Sequence, residues 1–381
     1  MDNIIYVEPI EGVREFSTYC FYNSFLPKVQ MHYQNNRTAP IFSFEKLHYI
    51  NPLVLPNLLG IGQYLKMFHD KPIELKLNYN PQIIYYLDKL NFFKICEKPT
   101  AFNPIGLNIF NFDDRYLGGY SSFIEKEQRV EHKIQYYRPI FENDEQSMSL
   151  HDELHEDLTL FTLPHHFGRV LRDSIPEEYI YESIESIAEP ISNGILHSES
   201  ITWGIAQTTP KPYSKTLLSI SDIGIGFEAS LKKNNPDQYI IKRIKQLGLY
   251  KENLRDFYYT MEALFYSLIK DRFGLIDFIF KITEEGTVRI HYNSTQILFT
   301  PRIILKASNL KKVRKKIYDE LEITGEISEK SLKDAINGII DLSQTLLSFR
   351  SNDRRYSAIR IFDVIFRGVH IEFQLPIHDI I

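Results

Sequence analysis

The chain has 381 residues, 43% of them hydrophobic and 24% charged, which excludes a disordered, collagen-like or coiled-coil polypeptide and leaves room for two domains. Its 44 basic and 49 acidic residues give a net charge of −5, which is not the balance of a dedicated DNA or RNA binder. Two cysteines, Cys20 and Cys96, cannot build a disulfide framework and fit a reducing compartment. The opening MDNIIYVEPIEG has no basic segment followed by an apolar one, so no signal peptide is expected. The uncharged stretch Asn51 to Leu65 is too short and too broken by Pro and Gly to span a bilayer. A soluble cytoplasmic protein, with no membrane partner, is expected.

In chain order, Phe42 and Phe44 flank Ser43 as a short strand. Residues 52–69 carry Leu53, Leu55, Leu58, Leu59, Ile61, Leu65 and Phe68 at mostly helical spacing. PIELKLN, residues 72–78, alternates apolar and polar like a half-buried strand. Asn80 and Pro81 then start a helix as cap and first-turn residue, striped by Ile83, Ile84, Leu87 and Leu90. Strand–helix repetition of this kind predicts a small α/β domain. Residues 97–135 are irregular and carry the boundary, giving domains 1–125 and 126–381. After an acidic stretch, Pro176 opens a long helix with Ile180, Ile184, Ile187, Ile191 and Ile195 on one face. Strands at 201–207 and 215–221 follow, joined by a turn around TTPKPYSK. Residues 228–270 are charged and aromatic and are expected to be helical and mobile. A helix over 274–284 comes next, then GTVRIHYNS and TQILFT as a hairpin. Residues 303–365 form a charged helical insert, and GVHIEFQLPI makes the last strand.

The chemistry concentrates between Glu182 and Gly226. Glu189, Asn193 and His197 are spaced four apart, and each step of four turns a helix by only about 40°, so the three share a stripe opposite the isoleucines. A carboxylate can act as a general base for water, and an amide oxygen can ligate Mg2+. Taken alone, such a stripe is the wet face of an ordinary amphipathic helix. Further on, the strand LLSIS ends in Asp222-Ile223-Gly224-Ile225-Gly226. A carboxylate there can accept from an exocyclic amine, and the glycines let backbone approach a ligand.

This order, helix ExxxNxxxH, strand pair, DxGxG, helix and strand pair, resembles the GHKL ATP-binding superfamily of gyrase, Hsp90, histidine kinases, anti-sigma kinases and MutL. IAEPISNGILHS resembles its N-box, and LLSISDIGIGFEASLKK its first glycine box. DRFGLIDFIFKITEEGTVRIHYNSTQILFT resembles the second glycine box with the following helix and strands, and RGVHIEFQLPI the final strand. The resemblance covers residues 137–381 and implies a two-layer α/β sandwich with a mixed sheet. It implies that Asn193 holds Mg2+ and the phosphates of ATP, that Glu189 orients water, and that Asp222 reads the adenine amine. His197, Gly224 and Gly226 would shape the pocket, and residues 228–273 would form a lid ending at Arg272 and Gly274. Pro190 departs from the pattern and predicts a kink or restart beside Glu189. The run Asp271-Arg272-Phe273-Gly274-Leu275 holds a single glycine, so fewer amides are free for phosphate, and Arg272 is a candidate substitute.

The segment from Phe42 to Phe93 resembles the STAS fold of anti-sigma-factor antagonists. Where that family carries a phosphorylatable hydroxyl, this chain reads Tyr49-Ile50-Asn51-Pro52-Leu53, which implies a docking or structural role. His151-Asp-Glu-Leu-His155 has zinc-like histidine spacing, but Asp152 stands where the general base should be, and a solvated acidic helix is expected. Lys306, Lys311, Lys312, Arg314, Lys315 and Lys316 form a basic helical stripe, read as a solvated face before a nucleic-acid patch. The expected function is therefore an ATP-binding regulatory protein acting as a Mg-ATP-dependent switch, with slow hydrolysis at most. A protein partner is expected, and the resemblance admits a homodimer. The alternatives are an anti-sigma-type serine/threonine kinase, a degenerate interaction module, and an immunity effector acting with nucleic acid through Lys306–Lys316.

Overall fold

Short apolar alternations build the first sheet. In the computed structural model, which describes residues 3–77, 80–113, 133–140, 147–172, 177, 180–208, 215–234 and 237–376, strands β1 (Ile4–Tyr6), β2 (Ile41–Ser43), β3 (Ile73–Lys76) and β4 (Phe110–Asn111) pair in parallel in that order. Ile5, Phe42 and Leu75 stand in register and are buried, while Glu74 points to the other, wet face. Between β1 and β2 runs a helical stretch that the sequence pattern did not signal: α1 (Thr18–Cys20), a π-type turn (Phe21–Phe25) and α2 (Leu26–Asn35). Its Phe21, Tyr22 and Phe25 are buried, so tertiary packing rather than the modest helix propensity of aromatics holds it. Asn51 caps a single turn leading into α3 (Leu55–His69), its Oδ1 accepting from the Leu53 N–H at 3.0 Å. Asn80 caps α4 (Pro81–Lys89) in the same way, and α5 (Phe92–Cys96) follows.

The second sheet is antiparallel. It begins with β5 (Gln135–Tyr137), after which come α6 (Ser147–Asp157), α7 (Leu163–His166), α8 (Gly168–Arg172) and α9 (Ile180–His197). Next are β6 (Thr202–Thr208), β7 (Lys215–Asp222), α10 (Gly226–Asn234), α11 (Tyr239–Gln246), α12 (Arg255–Leu268) and α13 (Leu275–Ile282). Last come β8 (Thr287–Phe299), α14 (Pro301–Lys306), α15 (Ser308–Thr324), α16 (Glu329–Ser348) and β9 (Ile359–Pro376). The sheet order is β5-β6-β7-β9-β8. Among the described residues every pairing in it is antiparallel, not mixed as expected, because β9 enters between β7 and β8 in the sense opposite to both. The helix start at Pro176, the loop 114–132 and the turn over 209–214 lie outside the described residues.

Three elements differ from the sequence expectation. The segment read as a hairpin is one strand, β8, and both halves pair with β9; the apparent turn is a register shift at Asn293, whose φ is 50°. Consequently β9 starts at Ile359, and the alternation of Phe362, Val364 and Phe366 inward with Ile361, Asp363 and Ile365 outward belongs to the sheet rather than to the insert. The stretch expected to be mobile contains α12, whose Phe257, Met261, Leu264, Phe265 and Leu268 are fully buried in the core. Pro190 does not interrupt α9; one lost backbone bond is outweighed by the buried packing of Ile184, Ile187, Ile191 and Ile195.

The antiparallel sheet has two buried faces. Ala206, Leu218, Ile220, Ile371 and Phe373 join the apolar cluster that holds residues of α9, α12 and α13, and Gly204 faces Phe167. On the other side, Trp203, Ile205, Phe362, Val364 and Phe366 join one apolar cluster with the first hundred residues. Polar residues share that second face: Ser221 hydrogen-bonds His370, Arg289 pairs with Glu372 at 3.1 Å, and Tyr22 stacks on His291 with ring centroids 3.8 Å apart. Burial pushes the His370 imidazole down to about 3 and holds His291 well below the usual range, so both are neutral. Among the described residues no helix is long and apolar enough to cross a membrane.

Helix α3 lies between the two sheets. A Cβ on Gly60 would come within 2.8 Å of Ile223 Cγ2 at the end of β7, and one on Gly62 within 2.4 Å of Phe110 Cζ on β4. Gly60→Leu should therefore wedge α3 from the antiparallel sheet at a cost of about 1–3 kcal/mol. Trp203, the only tryptophan, reports on this contact: its emission should shift to the red and Tm should fall, and unchanged emission would show that the contact yields without separating.

Candidate functional site

Helix α9 and the end of β7 meet because small residues let them. A Cβ on Gly194 would stand 2.4 Å from Thr202 Oγ1, and one on Gly224 would stand 1.9 Å from the Ser198 carbonyl oxygen. That carbonyl accepts the Ile225 N–H at 2.9 Å, which locks the turn after β7 against the last turn of α9. Gly226 has a φ of +71°, the left-handed region that favours glycine, and begins α10. A cavity of about 150 Å3 opens between these elements, lined by Glu189, Asn193 and His197 from α9, Asp222 from β7, and Gly226, Phe227, Ser230 and Leu231 from α10. Its remaining walls are Ala263, Tyr266, Ser267 and Lys270 from α12 and the turn after it, Leu275 from α13, and Val369 and Ile371 from β9.

Thus five of the residues expected at the site, Glu189, Asn193, His197, Asp222 and Gly226, face one cavity. Gly224 lies behind the cavity wall, packed on Ser198. Gly274 precedes α13, its N–H donating to Asp277 Oδ2 at 3.0 Å, and it does not line the cavity. Arg272 turns away: it donates to Asp152 of α6 at 2.8 Å and lines a neighbouring cavity with Asp152, His155 and Tyr181. Sequence reasoning missed Lys270, whose only signal was a second basic residue two positions before Arg272. It also missed Tyr266 and Ser267, which lie in the segment expected to be mobile.

The electrostatics are set by burial. Asp222 is 6% exposed, and burial raises its carboxyl from 3.8 to about 7 against the pull of the Gly224 and Val369 N–H groups. The Gly224 N–H donates to Asp222 Oδ1 at 2.8 Å. Glu189 Oε1 accepts from Asn193 Nδ2 at 2.9 Å, which orients the amide so that its Oδ1 carries the acceptor capacity of that side chain. Burial, reinforced by the charges of Lys270, Arg272 and Lys233, lowers His197 to about 4, so the ring is neutral at pH 7. Burial also lowers Lys270, opposed by the negative charge of Glu189. Among the described residues no cluster of three or more His, Cys, Asp or Glu side chains could hold a metal ion. A Mg2+ carried on phosphates would need only one or two protein oxygens, and Asn193 Oδ1 offers one.

The basic stripe of α15 is not a uniform surface. Arg314 is 6% exposed and donates to both Asp277 carboxylate oxygens and to the carbonyls of Leu268, Lys270 and Arg272. Lys311 pairs with Glu284 at 3.2 Å and Lys316 with Glu320 at 3.7 Å. Comparison with models of protein families, with curated proteins and with solved structures gives no match.

Two outcomes follow from this geometry. Gly224→Ala should lower Tm and abolish ligand binding at the cavity, since the clash is with backbone; binding that survives would mean that the turn is not rigid. The raised Asp222 group favours the folded, protonated form, so its contribution to stability is present below pH 3.8 and is lost as pH rises to about 7. The difference in Tm between wild type and Asp222→Asn should therefore change with pH across that window and be flat above it, and a parallel pair of curves would contradict the burial.

Proposed function

We propose that the chain is an ATP-binding regulatory protein with a GHKL-type site, joined to a STAS-like α/β unit and acting as a Mg-ATP-dependent conformational switch. One observation carries this reading. A carboxylate at a strand end and a Glu–Asn pair on a helix, distant in sequence, face a single cavity that also holds a lysine. The donor set suits an adenine nucleotide. Asp222 can accept from the exocyclic amine, with Val369, Ile371 and Leu275 offering apolar walls to the ring. Asn193 Oδ1 suits a phosphate-borne Mg2+, and the ammonium of Lys270 suits phosphate. The architecture supports the reading too: helices cover one face of an antiparallel sheet, and Asp222 ends a central strand.

Switching is favoured over fast turnover. Glu189 Oε1 is held by the Asn193 amide, so use of that oxygen as a base for water needs a rearrangement. The other side of the Asp222 turn rests on α3, and this packing offers a route from the nucleotide to the first unit. A second reading, a module that binds no nucleotide, has one observation in its favour. The cavity of about 150 Å3 is smaller than the roughly 300–1,000 Å3 of ordinary ligand clefts, so it takes a base and not a triphosphate unless α10 or the 268–274 turn moves.

Calorimetry with Mg-ATP on the full chain separates these. The expected result is micromolar binding, lost in Asn193→Ala and Asp222→Asn, with turnover slow and absent in Glu189→Ala. Since adenine binding uses the Asp222 carboxylate, affinity should rise up to about tenfold per pH unit below pH 7 and level off above it. No heat with folded wild-type protein at pH 8 leaves the non-binding module. Phosphate transfer to a serine or threonine of a partner would instead establish the kinase.

A further inference from the structure

The turn after β7 has two faces. Asp222 and Gly226 line the cavity described above, whereas Ile223 and Ile225 line an open groove on the other side. Two adjoining clefts of about 610 and 500 Å3 make up this groove and share Tyr64, Ile223, Ile225 and Arg367 as walls. The smaller cleft reaches Pro139 and the loop before β6, and the larger reaches the register shift of β8 at Asn293. Either alone lies within the roughly 300–1,000 Å3 of ordinary ligand sites, and joined they suit a length of chain better than a compact molecule. One wall is the end of α3, where the helix leaves the core: Tyr64, Met67 and Phe68, spaced to share one helix face, are 42%, 68% and 64% exposed. The larger cleft adds Ile365 of β9, 71% exposed. Large apolar side chains grouped in this way along a cleft mark a surface that another molecule covers.

The polar groups of the groove select its occupant. Lys232 pairs with Glu228 at 2.6 Å, and Glu199 with Lys233 at 3.8 Å. Arg367 has no carboxylate partner among the described residues. Its Nε–H donates to the Gly224 carbonyl at 3.0 Å, which fixes the plane of the guanidinium and leaves both terminal nitrogens to the groove. A planar fork of that kind takes a carboxylate through two parallel hydrogen bonds. The carboxylates of Glu199 and Glu228 along the same groove repel a phosphate-rich surface, which disfavours a membrane or a nucleic acid. We propose that this groove is a docking site for a peptide segment of a partner protein, in which one Asp or Glu flanked by large apolar residues meets Arg367 while those apolar side chains lie on Tyr64, Met67, Phe68 and Ile365. The bound segment rests on the back of the turn that carries Asp222. The inference stands apart from the nucleotide reading, since none of these docking residues lines the cavity.

The test selects a phage-displayed library of random peptides on the full chain, then measures the enriched peptide, made with a fluorescent label, by polarisation. The enriched sequences should share one acidic residue between large apolar ones. Arg367→Gln should weaken binding by about tenfold or more, the loss of a charge-assisted pair. Changing the peptide's acid to its amide should cost wild type as much and Arg367→Gln almost nothing further, a coupling that a merely structural arginine would not give. Met67→Glu, an exposed substitution with little demand on folding, should abolish binding, and it carries the decision if Arg367→Gln does not fold. Leu305→Ser, at a position 75% exposed outside the groove, should leave binding unchanged. No enrichment, enriched peptides without an acid, or binding indifferent to Arg367→Gln and Met67→Glu overturns the proposal. Concentration-dependent dimerisation of wild type that Met67→Glu abolishes gives the face to a second copy of the chain and overturns it too.

Discussion

The first two turns of helix α3, Leu55–Gly62, have no wet side, and the rest of the structure is arranged around that fact. From Leu55 to Leu65 nearly every residue is buried, with the parallel sheet on one flank and the antiparallel sheet on the other. A helix segment that is apolar all round must be enclosed, and here two sheets on its two flanks do so. Gly60 and Gly62 let each sheet come close, and the Lys66 ammonium, at the exit, reaches the Leu107 carbonyl at 2.6 Å. Neither sheet can shift on α3 without opening a cavity or burying a clash, so the two units behave as neighbours in one core.

This enclosure explains an otherwise costly feature of the antiparallel sheet. Its second face is rich in polar residues, Ser219, Ser221, His370, Glu372, Arg289 and His291, yet all are buried or nearly so. Such groups are tolerated when they satisfy one another, as Ser221 with His370 and Arg289 with Glu372 do. The histidines enter neutral, and the aromatic rings of Tyr22 and Phe366 lie flat against them. The same face ends at Ile223, so the turn bearing Asp222 and Gly224 is supported from behind by α3 and from the front by α9. A preorganised carboxylate needs this kind of two-sided support.

The helical segment 301–348 bears on the site from the opposite direction. α16 packs on α11 and α12, and Arg314 of α15 takes the unpaired carbonyls that a helix end leaves behind. An element that looks like an appendage in the sequence therefore fixes the exit of α12 and the entry of α13, between which Lys270, Arg272 and Gly274 lie.

Local signals were enough for much of this. The Asn80 cap, the spacing of Glu189, Asn193 and His197, and the Asp222-to-Gly226 turn are set by neighbours within a few residues, so the helices and strands that carry them were legible, whereas the pairing of one helix stripe with one strand end came only as what the family resemblance implied. What failed was whatever depended on distant packing. Asn293 looked like a hairpin turn because a single left-handed residue in a strand carries the same local signature. α12 looked mobile because its charged neighbours concealed five core residues. Arg314 looked like one of six surface cations, and Arg272 like a phosphate ligand, because a sequence does not record which carboxylate or carbonyl a guanidinium will meet. Sequence by itself determined the elements and the stripe of polar residues on α9. Only the tertiary structure decided that a polar sheet face would be dry and which cation would face the cavity, because burial and ion pairing are properties of residues brought together from far along the chain.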